Sequence, residues 1–118
     1  MQMLSNQQSF SQERIGLPLF TGVDEEGGQV TRIASWAGMN VPSFSDISQI
    51  GASEAPGAAY TLGDTIGEYL SRMGFDLDFA PVADVLTNPE NNVVKRRSYG
   101  GSPQLMRGYG MHCRMGLL

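Results

Sequence analysis

The hydrophobic positions fall into four stretches with different spacing. Ile15 to Val23 (IGLPLFTGV) is a short apolar run of strand length, bounded by Gly16 and Pro18 and followed at once by the acidic, glycine-rich DEEGG. Between Ser53 and Met73, Ala55, Ala58, Ala59, Leu62, Ile66, Leu70 and Met73 recur at intervals of three and four, predicting an amphipathic helix with Ser53 as its N-cap and Gly74 as its stop. In Phe75 to Val85 (FDLDFAPVADV) the apolar Phe75, Leu77 and Phe79 alternate with Asp76 and Asp78, predicting a strand that Pro81 ends. Ser102 to Met106 has the look of a first helical turn.

The remaining segments lack such a period. Residues 1–14 are polar with scattered Met3, Leu4 and Phe10, and suit a short helix or a frayed lead-in. Residues 30–53 read as loop with one helical turn at Phe44 to Ile50, and residues 86–101 (LTNPENNVVKRRSYGG) as a long loop of turn formers and basic groups. The order strand, loop, helix, strand, loop, helix predicts an α/β architecture in which the long helix is a crossover between parallel strands. Chemistry in such units gathers beyond the carboxyl ends of the strands, so DEEGG, Asp84 and the Arg96–Arg97 loop are expected on one rim.

Composition narrows the function. The chain has 118 residues, enough for one small domain, and its 41% hydrophobic share is ordinary for a folded protein. A net charge of −4, with no stripe of Lys and Arg to release phosphate counterions, argues against a nucleic-acid partner. No run approaches the roughly 20 apolar residues of a membrane span. The segment from Met1 to Glu13 is polar where a signal peptide carries its apolar region, so the chain as written is expected in the cytoplasm. Cys113 is the sole cysteine; a free thiol is expected, with no intrachain disulfide or cysteine-based zinc cage. Neither metal nor cofactor is expected.

The candidate chemistry is a set of acids and arginines. Asp24 at a strand end can accept two hydrogen bonds from adjacent hydroxyls, with Gly27 and Gly28 letting the backbone bend beside it. The three consecutive acids read equally as a solvated loop. They would repel phosphate, and neither glycine pattern for a phosphate cradle is present. Arg96 and Arg97 can donate paired hydrogen bonds to vicinal hydroxyls or to a carboxylate, while Asp84 more simply ties down its own loop. Trp36 is a sugar-stacking surface, or a core or loop anchor. His112 sits in a glycine-rich tail without an Asp or Ser partner nearby, which speaks against general acid/base work.

Taken together, LPLFTGVDEEGGQVTRI, GFDLDFAPVADV and NPENNVVKRRSYG resemble glycoside hydrolase family 3 over about residues 15–106, and the first segment looks like its β-N-acetylhexosaminidase branch. The resemblance implies part of a (β/α)8 TIM barrel with parallel strands, from a retaining exo-hydrolase acting on a terminal β-linked sugar such as N-acetylglucosamine. By that likeness Asp24 and Arg97 grip the sugar, and Glu26, Arg32 and Asp84 support the loops around them. Tyr99 stands where the family often has Phe, and Lys95 and Arg96 replace smaller or uncharged residues.

The same likeness implies what is missing. The family's Lys-His-Phe-Pro-Gly-His-Gly segment, acid/base loop and nucleophilic aspartate are not found here, and a barrel takes roughly 250 residues. The isolated chain is therefore expected to hold part of a sugar site without the nucleophile, or to be a non-catalytic carbohydrate-binding remnant or nonfunctional product. Unpaired strand edges of an incomplete barrel are expected to promote self-association. Residues 107–118 depart from the family's continuous helix with three glycines, at about 1 kcal/mol of helix propensity each. A change of reading frame near Met106 or Arg107, or a gene remnant, would account for such a tail.

Overall fold

The computed structural model describes the backbone of residues 2–117 and the side chains of residues 5–111. Its elements run α1 (Gln2–Ile15), β1 (Gly22–Val23), α2 (Ile47–Ala52), α3 (Pro56–Met73), β2 (Leu77–Asp78) and α4 (Pro103–Leu117). The side chains of His112 and Cys113, with the expectations attached to them, lie outside the described residues.

The core forms on α3. Ala59, Leu62, Ile66, Tyr69 and Leu70 share its buried face, and Ile47 and Ile50 of α2, Met106 and Tyr109 of α4, and Ile33 and Tyr99 from loops join the same cluster. Tyr99 and Tyr109 stack at 5.4 Å between ring centroids, which fastens α4 to the loop that precedes it. Gly51 at the end of α2 meets the same loop so closely that a Cβ there would lie 1.8 Å from the Tyr99 carbonyl oxygen. Only glycine fits that crossing.

The long helix ends as its sequence predicts. Gly74 adopts the left-handed conformation at φ 87°, and the Phe75 N–H returns to the Leu70 carbonyl at 3.1 Å. Its start differs, because Ser53 is not the N-cap. Pro56 opens α3, Ala55 precedes it without a side-chain cap, and the Ser53 hydroxyl donates instead to the Ile50 carbonyl at the end of α2. Proline tolerates the first helical turn because its missing N–H would have had no partner there, so the break between the two helices falls at residues 53–55.

The two strands are parallel, with Gly22 opposite Leu77 and Val23 opposite Asp78. An α/β fold with α3 as the crossover is thus observed. Each strand is much shorter than the run that predicted it. A ladder needs a neighbour with free backbone groups, and among the described residues β1 and β2 have only each other. The Thr21 carbonyl receives the N–H groups of Asp76 and Leu77, the Val23 carbonyl receives that of Phe79, and Pro81 then has no N–H to offer. Asp76 fastens the entry by accepting from both the N–H and the hydroxyl of Thr21. Leu17, Phe20, Leu77 and Phe79 remain exposed around this ribbon.

Residues 1–14, expected as a short helix or lead-in, are helical from Gln2, and the Gln8 amide reaches Asp76 at 3.4 Å. The turn expected at Phe44 to Ile50 is α2, displaced by a few residues. At the other end α4 continues as helix through Gly108 and Gly110. Burial of Met106 and Tyr109 against α3 offsets the low propensity of those glycines, as tertiary packing commonly does.

Candidate functional site

The parallel register puts the carboxyl ends of β1 and β2 side by side, and the chain leaves each end into a loop rich in charge. From β1 it passes through Asp24, Glu25 and Glu26 into a tight turn, closed by the Glu26 N–H donating to the Val30 carbonyl at 2.9 Å. Gly27 and Gly28 take φ of 88° and 58° in that turn. A side chain on Gly28 would lie 2.9 Å from the Ser45 carbonyl oxygen, so both conformation and space call for glycine.

From β2 the chain enters the loop of residues 86–101, which doubles back on itself. Asn88 and Asn91 accept from the N–H groups of Glu90 and Val93, forming side-chain turns. The base of the loop is closed by Leu86 N–H donating to the Gly100 carbonyl at 3.0 Å and by the buried Ser98 hydroxyl donating to the Asp84 carbonyl at 2.7 Å. Arg96 and Arg97 are thereby carried back toward the β1 loop. Arg96 pairs with Asp46 at the start of α2, and Arg97 with Glu26.

The Arg97 pair is the more buried of these two. Nε donates to Glu26 Oε2 at 2.9 Å and Nη2 to Oε1 at 2.6 Å, a two-pronged geometry that fixes the guanidinium plane. Glu26 is buried while Arg97 keeps a quarter of its side chain exposed. The Glu26 hydrogen bonds hold the Arg97 guanidinium above its usual proton affinity against the opposing effect of burial, and the charges of Asp84 and Asp24 add to them. Asp24 itself is half exposed on the rim, 4.0 Å from Arg32, which is more exposed still.

Of the residues singled out in the sequence, then, Glu26 and Arg97 are in direct contact. Asp24 stands beside Arg32, and Asp84 and Asp24 both act on Arg97 through their charge. Trp36 is not a core residue: 60% of it is exposed, while its backbone N–H and carbonyl bond to Ile33 and Met39 in a turn.

Two features escape a reading of the sequence. Asp46 is the counterion of Arg96, 50 residues away, and nothing in its surroundings marks it. Glu25, midway along the acidic triplet, is fully buried. Its carboxylate accepts from the N–H groups of Arg32, Ile33 and Ala34 and from the Tyr69 hydroxyl at 2.7 Å. Tyr69 was a usable signal, since a tyrosine on the buried face of an amphipathic helix needs a partner for its hydroxyl. Burial first, then the hydrogen bond to Glu25 and the nearby charges, push that phenol well above its ordinary range, so it stays a donor.

Asp78 at the end of β2 completes this inner layer. Its Oδ1 accepts the Glu25 N–H at 2.9 Å, and its Oδ2 is buried without a hydrogen-bond partner. Burial raises the carboxyl from 3.8 to about 6. The Glu25 N–H opposes this, and the charges of Glu25, Asp24 and Glu26 reinforce it. Among the described residues no helix is long and apolar enough to cross a membrane.

Residues 1–117 match the glycosyl hydrolase family 3 N terminal domain. The β-hexosaminidase LpqI of Mycobacterium tuberculosis is 35% identical over 101 residues, covering 86% of this chain and 25% of that protein. β-Hexosaminidase A of Pseudoalteromonas piscicida is 34% identical over 108 residues, 89% of this chain and 18% of its own length. Among solved structures, a family 3 β-N-acetylglucosaminidase from Paenibacillus sp. str. FPU-7 superposes with a TM-score of 0.84 at 33% identity, over 93% of this chain and 20% of that one. NagZ from Neisseria gonorrhoeae, solved in complex with N-trifluoroacetyl-D-glucosamine, does so with a TM-score of 0.73 at 28% identity, over 85% of this chain and 30% of that one. The chain thus spans 18–30% of the length of these relatives, and it belongs to glycosyl hydrolase family 3, within the N-terminal domain of that family.

Proposed function

We propose that this chain forms part of the (β/α)8 barrel of a retaining, exo-acting β-glycosidase that removes terminal β-linked N-acetylglucosamine or a related sugar. In this reading Asp24 accepts hydrogen bonds from hydroxyls of the terminal sugar and Arg97 donates to it. Glu26 holds Arg97, and Arg32 and Asp84 support the two loops. The observation that carries the reading is the Arg97 guanidinium, fixed by two bonds to a buried carboxylate at the strand-end rim. Such a preformed donor loses little freedom on binding a ligand. The names of the family 3 relatives point to the same sugar class.

Retention of configuration needs a nucleophilic carboxylate and a proton donor about 5 Å apart. Glu25 and Glu26 are engaged in the structure itself, by four donors and by Arg97. That engagement favours a second reading for the chain by itself, a sugar-binding unit without turnover. Titration with N-acetylglucosamine followed by NMR tests the binding. Shifts that vanish in Asp24→Ala and Arg97→Ala, with the fold retained, are expected. No shift in the wild-type protein refutes the assignment. A chromogenic N-acetylglucosaminide separates the two readings, since turnover by the chain alone excludes the second.

Self-association belongs to the same proposal. The β1–β2 ribbon has exposed apolar neighbours in Phe20, Leu77 and Phe79, and short parallel strands offer unpaired backbone groups to another chain. Light scattering behind size-exclusion chromatography is expected to give a mass above 12.8 kDa, and a sharp monomer peak contradicts it.

A further inference from the structure

We propose that Glu25 is a positioning residue, an internal anion that sets the shape of the loop from Asp24 to Ala34 and so places Asp24 and Arg32 at the rim. Its consequence for affinity rests on the sugar-binding reading above; its consequence for loop geometry does not.

Three consecutive N–H groups, those of Arg32, Ile33 and Ala34, converge on one carboxylate, the kind of backbone concavity that receives an anion. Here the chain fills it with its own side chain. Oε2 accepts from Arg32 and from Ile33 at 2.9 Å, and Oε1 from Ala34 at 3.0 Å and from the Tyr69 hydroxyl at 2.7 Å. All four partners donate, so the position asks for a group that only accepts, and an ionised carboxylate is the side chain that provides it.

The connections give this cluster its reach. Glu25 adjoins Asp24 in sequence and bonds the backbone of Arg32, the two rim residues that face one another at 4.0 Å. Tyr69 ties the same carboxylate to the core face of α3, and Asp78 holds the Glu25 backbone N–H from β2. Helix α3 and the loop are thereby referenced to one buried carboxylate, and strand β2 to the backbone of the same residue. Replacing it leaves every rim side chain in the sequence but loosens the frame that aims them.

The test uses the full chain, labelled with nitrogen-15, as wild type, Glu25→Gln and Tyr69→Phe. Glutamine keeps the shape of Glu25 but turns one acceptor into a donor facing N–H groups. Phenylalanine leaves Glu25 in place and removes one donor. In Glu25→Gln, amide exchange at Arg32, Ile33 and Ala34 is expected to rise at least about tenfold while Leu62 and Ile66 in α3 exchange as in wild type. Affinity for N-acetylglucosamine is expected to fall at least about tenfold. Tyr69→Phe should show the same pattern in smaller measure, and it decides the matter alone if Glu25→Gln does not fold.

Unchanged exchange at residues 32–34 overturns the proposal, as does faster exchange there with undiminished sugar affinity. A wild-type protein that binds no sugar sinks the carbohydrate reading instead. The exchange rates, with the backbone resonances of Asp24 and Arg32, then decide the positioning role by themselves.

Discussion

Replacing Asp78 by asparagine should stabilise the protein at neutral pH and leave it unchanged in acid. Burial lifts this carboxyl from 3.8 to about 6 and Oδ2 has no hydrogen-bond partner, so the fold favours the protonated form. The stability that Asp78 contributes is therefore fully present below about pH 4 and is lost as pH rises through about 6. At about 1.4 kcal/mol per tenfold change in proton affinity, the displacement sets a ceiling of about 3 kcal/mol. Residual water contact reduces this to about 1–2 kcal/mol.

Asparagine keeps an oxygen to accept the Glu25 N–H and places an uncharged amide where Oδ2 lies, which removes the repulsion from the charges of Glu25, Asp24 and Glu26. Urea unfolding of both proteins by far-ultraviolet circular dichroism at pH 4, 5, 6 and 7 measures the difference. Asp78→Asn should exceed wild type by about 1–2 kcal/mol at pH 7 and converge with it at pH 4. A difference that stays constant across that range would refute the reasoning, because an effect of shape or packing alone does not titrate.

Leu62→Ala, at a fully buried position of α3, should cost about 3 kcal/mol in urea unfolding. Gly51→Ala forces a Cβ into the Tyr99 carbonyl, 1.8 Å away, and should lower stability by about 3 kcal/mol or leave the protein unfolded when expressed. Arg97→Lys cannot reproduce the two-pronged bond to Glu26; a loss of about 1–3 kcal/mol is expected, and a double-mutant cycle with Glu26→Gln should show strong coupling. Asp24→Ala, by contrast, should change unfolding free energy by less than about 0.5 kcal/mol because the side chain is half exposed, so any loss of sugar binding in it is local.

Much of the frame was readable from local pattern. The spacing of Leu62, Ile66 and Leu70 marks α3, and Gly74 marks its end, because helix periodicity and a left-handed cap are properties of a few neighbouring residues. The parallel pairing of β1 and β2 follows from a crossover helix between two strand-like runs. The extent of those strands was not readable. An apolar run such as Ile15 to Val23 states that a segment can pair, and the number of neighbouring strands decides how much of it does. Likewise Ser53 has the chemistry of an N-cap, but the competing break at Pro56 gave it to the end of α2.

The candidate site divides along the same line. Sequence by itself determined that acids follow one strand and arginines the loop after the next, and hence that both charges meet on one rim. Only tertiary structure decided how the three acids of the triplet differ: Asp24 stays at the surface, Glu26 clamps Arg97, and Glu25 turns inward to Tyr69 and three backbone N–H groups. Three adjacent carboxylates are chemically similar in an extended chain, and they become distinct when the fold brings each a different set of donors. Those donors lie up to 71 residues away, beyond the reach of any local pattern.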